Sequence, residues 1–439
     1  MRSPLPTYLK GLRHFSEHAK AHSQHYFSRP GKDFTRTRIL HLERVVWLTI
    51  SLLKSTLCVE LDQFFSWLDA GEKSPTKSAL IQARQKLLPR FFKDMFMLSV
   101  SLFYQCYKIK RWKGMRLWAS DGTGFRLPEE EWLGDEFGWA FNQHGAVVSG
   151  RILACYDLLN QLITAVQFHT NQVSELVVAM RSIKQIPSDV LMVYDRGFAS
   201  HIVPFLHAHF GSNCLIRIPL GFNASTKSFV KSGLKEQIIT EKLSPKARKS
   251  LRELGMDNLV RTKITYRLIR VILPNGQTEV LLTTLMDQKR FKHTYFAEVY
   301  RQRWGIESCF FVLKSFFQFA NFSAYTVNNC WQDIHAHFIL YNIQTALFTA
   351  KQPEIKKINQ RRQHDYKPNR NITAGLLKRF LVKFALRPFK ELKHWLKDFY
   401  RQMLQTLEPD RPDKSKVRAK MPNIRTARHV HEKNYRAAL

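Results

Sequence analysis

The chain has 439 residues, more than one ordinary hydrophobic core holds, which predicts about two to four domains. Hydrophobic residues make up 44% of it and aromatic residues 13%, which excludes a globally disordered chain. Lys and Arg number 69 against 35 Asp and Glu, and this formal charge of +34 favours nucleic acid as the partner over a ribosomal site or an anionic membrane surface.

The remaining composition bounds the compartment. The cysteines are dispersed without a CxxC pair, which excludes the usual zinc-finger spacings and predicts reduced thiols. The N-terminus lacks the apolar core of a secretion signal, and no apolar run reaches the roughly 18 residues that a membrane span needs. We therefore expect a soluble, cytoplasmic protein.

Residues 1–108 are predicted to be helical, because apolar residues recur there at three- and four-residue spacing. The predicted helices span 39–53, 60–68, 77–88 and 91–104. The third places Arg84 and Lys86 among amide side chains, which suits a DNA-reading helix, although the solvated face of an ordinary helix explains the same residues. We assign 1–108 as a helical N-terminal DNA-binding region.

Strand patterns replace the helical period from residue 109. The predicted strands are 115–120, 150–157, 162–169 and 190–194, with a hairpin between the second and third and a helix over 173–184 before the fourth. Asp121 follows the first strand and Asp195 follows the last. Taken singly, each carboxylate is explained by turn chemistry, since Asp-Gly is a hairpin signal and an acid before Arg196-Gly197 can cap a turn.

The rest of the chain alternates between strands and helices. Strands are predicted over 214–219, 264–273 and 279–285, with a basic stretch at 227–263, and form a β-rich segment 201–287. Helices follow at 293–318, 334–348, 376–384 and 391–404. Residues 351–439 hold twenty-four Lys and Arg against eight Asp and Glu and form a basic helical C-terminal region, expected to be flexible after Pro409, where Lys414 to Lys420 is the most basic part.

The predicted helix 293–318 carries a polar stripe. At about 100° per residue, Tyr300, Arg303, Glu307 and Lys314 fall within about 60° of one another. The two cations would hold phosphates, and a carboxylate between them indicates a divalent metal, because Mg²⁺ takes carboxylate oxygens and bridges them to phosphate. The alternative is an i,i+4 ion pair between Arg303 and Glu307. Trp304 is a candidate to stack on a base, but core packing is favoured for it.

These residues together resemble a known signature. Tyr300-x2-Arg303-x3-Glu307-x6-Lys314 resembles the Tyr-Arg-Glu-Lys signature of bacterial insertion-sequence transposases of the DDE type (insertion sequence family four). The segments Trp-Ala-Ser-Asp-Gly-Thr-Gly around Asp121 and Val-Tyr-Asp-Arg-Gly-Phe around Asp195 are similar to those around that family's first two acids. The resemblance covers about residues 30–350.

The resemblance implies an α/β fold with a ribonuclease H-like catalytic core over 109–200 and 288–350, interrupted by the β-rich insertion 201–287. Helical N-terminal and C-terminal regions flank this core. Asp121, Asp195 and Glu307 would be the catalytic and metal-binding carboxylates, for Mg²⁺ or, in its place, Mn²⁺. The predicted DNA contacts are Tyr300, Arg303, Lys314 and Arg196.

The implied function is that of a DNA transposase, which binds the terminal inverted repeats of its own element and catalyses strand cleavage and transfer into target DNA. A homodimer is expected in the synaptic complex. The alternatives are a structure-selective nuclease and a catalytically silent, sequence-specific DNA-binding protein derived from a transposase. An RNA-binding structural protein would leave the grouped acids unexplained.

Overall fold

The computed structural model describes residues 4–36, 38–51, 55–68, 72–142 and 145–410. The chain forms two compact units. The first comprises 1–108, 125–148 and 311–439, and the second comprises 109–124 and 149–310. No helix of the described residues is both long and apolar enough to cross a membrane.

The helices are, in chain order, α1 Pro4–Ala21, α2 Ser23–Tyr26, α3 Leu42–Ser51, α4 Leu57–Leu68, α5 Lys77–Gln85, α6 Pro89–Cys106, α7 Glu131–Phe137, α8 Glu175–Ser182, α9 Ile202–His209, α10 Ala224–Ser232, α11 Pro245–Glu253, α12 Phe296–Arg301, α13 Trp304–Phe311, α14 Val327–Asn359, α15 Arg370–Leu386 and α16 Leu392–Gln405. The strands are β1 Arg116–Arg126, β2 Trp139–Asn142, β3 Gly145–Asp157, β4 Leu162–His169, β5 Val190–Tyr194, β6 Asn213–Ile218, β7 Glu236–Lys242, β8 Lys263–Ile272, β9 Thr278–Thr283, β10 Tyr366–Pro368 and β11 Leu407–Pro409.

The second unit is built on one mixed sheet, in the order β3-β1-β5-β6-β9-β8-β7 with β4 paired to β3. β1, β5 and β6 run parallel at its centre, and β5 is buried at every residue, as expected for a strand covered on both faces. The strands predicted within 201–287 continue this same sheet from β6 outward. A large central sheet with flanking helices confirms the predicted α/β, ribonuclease H-like class.

One apolar layer holds helix α12 against this sheet. It contains Leu117 from β1, Leu191 and Val193 from β5, and Leu215 from β6, with Val299 packing on them from α12. Alternate residues of each strand face this layer, because side chains on a strand point to opposite faces in turn. The layer therefore fixes the segment that leads into Arg303 and Glu307 relative to the strands that carry the two aspartates.

The first unit is mainly helical and is organised around α14. This helix extends from residue 327 to 359, well beyond the predicted 334–348, and packs on α6, α3 and α1. It is buried almost continuously from Asn329 to Phe348, because neighbouring helices cover all of its sides. In the same unit β2 pairs antiparallel with the first residues of β3. The basic segment predicted to be flexible after Pro409 lies, from residue 411 on, outside the described residues.

Several predicted element boundaries were wrong, and two of them bear on the site. The helix predicted over 293–318 is a 3₁₀ turn at 293–295, then α12, then α13, then a π-helical turn at 312–316. The angle per residue changes at each break, so the predicted polar arc does not extend over the whole segment. Strand β1 continues through Arg126, which places Asp121 inside the strand rather than after it.

The interpretation of α5 as a DNA-reading or a solvated helix fails for Arg84. This side chain is fully buried, and its guanidinium donates to Asp333 Oδ1 at 2.8 Å, Gln332 Oε1 at 2.8 Å and the Asn329 carbonyl at 2.9 Å. Its neighbour Gln85 also points inward and hydrogen-bonds Thr326. This face of α5 therefore docks the helix onto α14.

Replacing Arg84 with Leu should destabilise the first unit by about 3–5 kcal/mol, because Asp333 would remain as a buried charge without its cation. The matched control is Arg401→Leu, whose exposed pair with Asp398 is worth less than about 1 kcal/mol. Urea unfolding followed by far-UV circular dichroism measures both. Equal midpoints for the two variants would contradict the structural role of Arg84.

Candidate active site

The two aspartates lie side by side because of strand register. β1 and β5 pair in parallel with Ser120 opposite Tyr194, so the residue after each is an aspartate: Asp121 within β1 and Asp195 directly after β5. Adjacent strands are about 4.8 Å apart, which brings the two side chains to the same edge of the sheet. The sequence prediction that these acids meet is consistent with this register.

Each aspartate also has a local hydrogen bond. Asp121 Oδ1 accepts from the Gly122 N–H at 2.9 Å, and Asp195 Oδ1 accepts from the Gly197 N–H at 2.9 Å, capping the 3₁₀ turn that follows β5. The turn-capping explanation of Asp195 is thus realised in the structure. It accounts for one oxygen of the carboxylate and leaves room for a second role.

The surroundings of Asp121 disfavour its charge. Burial, which leaves 21% of the side chain exposed, raises its pKa from 3.8 to about 6. The hydrogen bond from Gly122 and the guanidinium of Arg303 act in the opposite direction, while the nearby carboxylates of Asp195 and Glu175 raise the pKa further. Burial therefore contributes most to the raised pKa of Asp121, and two nearby carboxylates add to it.

The third acid of the prediction is held by an arginine. Arg303, only 7% exposed, donates from Nη2 to Glu307 Oε1 at 2.7 Å, and its Nη1 lies 3.7 Å from Asp121 Oδ2. The i,i+4 ion pair offered as an alternative is therefore present. Arg303 links the first and third predicted acids, so its guanidinium stands between them as a cation.

The other predicted contacts differ in exposure. Arg196 is exposed in the second unit, and Lys314 is exposed on the π-helical turn in the first. Tyr300 is half-buried, burial raises the pKa of its phenol, and its hydroxyl has no hydrogen-bond partner among the described residues. Trp304 is 57% exposed beside the guanidinium of Arg303, so the core packing favoured for it was wrong.

Sequence reasoning missed Glu175. It lies in the first turn of α8 and pairs with Arg151. A Cβ at Gly122 would lie 2.0 Å from Glu175 Oε1, so the absence of a side chain at Gly122 is what lets this carboxylate approach the strand beside Asp121. In the sequence Ser174-Glu175 has the form of an ordinary helix start, which hides its position.

Arg217 was missed as well. It is half-exposed on β6, pairs with Glu279 at 2.7 Å, and lines a concavity of about 360 Å³ together with Arg196. An arginine in a β-strand has no sequence signal of function, and only the sheet order brings it to this edge.

Carboxylates are the type of ligand that suits a divalent cation, but the Arg303 guanidinium lies beside both Asp121 and Glu307. Within the described residues, no group of three or more His, Cys, Asp or Glu side chains is arranged to hold a metal ion. At this site Glu307 is paired with Arg303. Asp121 and Asp195 provide hard oxygen donors, and carboxylates are the ligands that divalent cations prefer. A metal centre with all three acids requires the Arg303–Glu307 pair to open.

The raised pKa of Asp121 makes a prediction for the metal-free protein. Because the pKa of Asp121 is higher in the folded than in the unfolded protein, its protonated form stabilises the fold. This contribution to the free energy of unfolding is fully present below about pH 4 and is lost as the pH rises through about 6. In EDTA, Asp121→Asn should therefore stabilise the protein at pH 8 by up to about 3 kcal/mol and have little effect at pH 4. Urea unfolding across this pH range measures the difference, with the exposed Asp62→Asn as control. A stabilisation independent of pH would contradict the assignment.

Comparison with known proteins gives one matching family and two related transposases. Residues 112–343 match the model of a family described as "Transposase DDE domain". The transposase InsG of insertion sequence element IS4 from Escherichia coli K12 is 27% identical over 277 residues, 62% of this chain and 61% of that protein. The putative transposase InsZ of the same strain is 25% identical over 191 residues, 42% of this chain and 64% of that protein. The chain thus spans just over three fifths of the length of either relative.

A solved structure was also found. It is a chain of the cryo-EM structure of the piggyBac transposase synaptic complex with hairpin DNA, at 9% identity and a TM-score of 0.43, covering 94% of this chain and 87% of that one. A likeness at this level supports no conclusion about function.

Proposed function

This chain belongs to the family of transposases with a DDE domain, and on that premise we propose that it is the DNA transposase of an insertion sequence. Its catalytic carboxylates are Asp121, Asp195 and Glu307. The observation that carries this proposal is the register of β1 and β5, which makes Asp121 and Asp195 lateral neighbours at one sheet edge, with Glu307 tied to Asp121 through Arg303.

The family generally uses divalent metal ions, and we propose Mg²⁺, or Mn²⁺ in its place, held by the three carboxylates. Such ions lower the pKa of an attacking water or 3′-hydroxyl and stabilise the leaving oxygen. Asp121 must be ionised to act as a ligand. Burial disfavours its ionised form and raises its pKa to about 6, and a bound cation would favour that form again.

Arg303 has two roles in this proposal. Without DNA its guanidinium pairs with Glu307. With DNA the guanidinium pairs with a phosphate instead, which frees the carboxylate. Two donors at this place lack acceptors among the described residues, the Tyr300 hydroxyl and Arg303 Nε. Buried donors without partners are costly, and a phosphate oxygen is an acceptor that would satisfy them. Arg196 and Lys314 complete the proposed phosphate contacts.

The proposed DNA partners are the terminal inverted repeats of the element and the target DNA, bound by a homodimer in the synaptic complex. The proposed location is the cytoplasm, in association with the nucleoid. We propose that residues 1–108 bind DNA and that 109–200 and 288–350 form the catalytic core. The segment 201–287 is the insertion, and the C-terminal region is basic.

A second candidate is a catalytically silent DNA-binding protein derived from a transposase. The observation that favours it is the ion pair between Arg303 and Glu307, which withholds the third carboxylate from a metal. If that pair never opens, the chain would hold DNA without cutting it.

Glu307→Gln should reduce Mg²⁺-dependent nicking at the element's ends by more than about 100-fold, because a metal ligand is lost. Loss of a residue that only orients a ligand typically costs about 10- to 100-fold. Its matched control is Glu298→Gln, an exposed carboxylate in the preceding helix that pairs with Arg301. A labelled DNA fragment carrying one element end reports nicking, and its anisotropy reports binding. Nicking retained in Glu307→Gln would sink the triad, while binding without nicking in wild type would establish the silent candidate.

Lys314→Ala should weaken binding to element ends and lower the slope of log affinity against log salt by about one, because one phosphate contact is lost. Lys246→Ala, which removes an exposed cation on α11, is the control. Anisotropy titrations over a KCl series give both slopes. An unchanged slope for Lys314→Ala would show that this ammonium does not touch phosphate.

A further inference from the structure

The first unit contains a strongly basic concavity that the carboxylate site does not involve. Its volume is about 410 Å³, and it lies between a loop, of which residues 29–36 and 38–40 are described, and the end of α5. Its charged lining residues are Arg29, Lys32, Asp33, Arg36, Arg38 and Lys86. Five cations against one carboxylate leave a local charge of +4.

Most of this charge is not neutralised by carboxylates of the described residues. Arg29 pairs with Asp33 at 3.1 Å, but Lys32, Arg36, Arg38 and Lys86 have no carboxylate partner among the described residues. Lys32, Arg36 and Arg38 are exposed, on an open concavity rather than an enclosed cavity. Like charges held this close repel one another unless an anion lies between them.

The loop is held in shape by a buried carboxylate. Asp33 is 4% exposed, and its Oδ2 accepts from the Arg29 backbone N–H at 2.9 Å while Oδ1 accepts from the guanidinium. The Lys32 and Asp33 N–H groups both donate to the Arg29 carbonyl. The turn that presents Lys32 is therefore fixed by hydrogen bonds before any ligand arrives.

Two further contacts fasten the loop to α5 and its end. One backbone hydrogen bond, from the Ser28 N–H to the Lys86 carbonyl at 2.9 Å, fastens the loop there, and the Lys86 side chain lines the same concavity as the loop. Phe34 adopts a φ of +57°, unusual for a residue with a side chain, and its ring lies 5.3 Å from that of Phe27. Such a conformation persists only where the surroundings fix it, and it is typical of functional loops.

We propose that this concavity binds the sugar-phosphate backbone of duplex DNA. It is open, and its free cations lie along a loop and an adjacent helix end, which suits successive phosphates better than one enclosed anion. The assignment rests on the proposed DNA substrate but not on the three carboxylates. It moves the DNA contact of the N-terminal region from the α5 face around Arg84, which is buried, to the loop 29–38 and Lys86.

The test compares two triple variants in a Glu307→Gln background with EDTA, so that cleavage cannot affect the readout. One replaces Lys32, Arg36 and Arg38 with Ala. The other replaces Lys390, Lys393 and Lys397, three exposed cations at and within α16 of the same unit, and removes the same charge. A labelled duplex carrying the element's end and one of arbitrary sequence serve as probes, over a KCl series.

The loop variant should bind both duplexes at least about 10-fold more weakly at moderate salt, with a salt slope lower by about two to three. The α16 variant should change the slope by less than about one. A version with Lys32→Arg, Arg36→Lys and Arg38→Lys should keep wild-type binding, which separates lost contacts from misfolding.

Three results would overturn the proposal. Equal losses in both triple variants would mean that only total charge matters, and wild-type binding by the loop variant would mean that the loop makes no contact. Displacement of the duplex by inorganic phosphate at low millimolar concentration would identify a small-anion site instead. Failure of the proposed function has a different signature, since the wild-type chain would then not nick the element's end, whichever triple variant binds more weakly.

Discussion

The parallel pairing of β1 with β5 is the constraint on which the site depends. Its register makes Asp121 and Asp195 neighbours, and the apolar layer beneath the strands keeps them there. The result is an electrostatic cost, since burial and nearby carboxylates raise the pKa of Asp121 to about 6. The proposed metal ion would offset this cost, and transposases with a DDE domain generally use divalent metal ions.

Arg303 supplies positive charge beside the carboxylates. It is buried and linked to both Asp121 and Glu307, while its Nε and the nearby Tyr300 hydroxyl have no acceptor among the described residues. Partly satisfied polar groups in a low-dielectric site are poised to rearrange. The same chain keeps a second excess of cations on the loop 29–38 of the first unit, so DNA binding need not rely on the residues next to the carboxylates.

Sequence patterns predicted those elements whose own residues mark them, and whose position in the fold fits that local pattern. β5 was predicted with its observed bounds, because five apolar residues lie between Pro187 and Asp195, and the β3–β4 hairpin followed from its turn. The break between α12 and α13 was not predicted, because its one local sign is Gly305, and a single glycine is tolerated inside a helix. Glu175 and Arg217 carry no local signal either, since only the packing of α8 and the order of the sheet bring them to the site.

The central claim is that the three carboxylates hold a metal once Arg303 turns to DNA. The most direct measurement is a structure of the chain with Mn²⁺ and a duplex carrying the element's end, using anomalous scattering to locate the ion. The account predicts manganese bound to Asp121, Asp195 and Glu307, with the Arg303 guanidinium on a phosphate. Manganese absent from these carboxylates, with Glu307 still paired to Arg303 in the DNA complex, would contradict it.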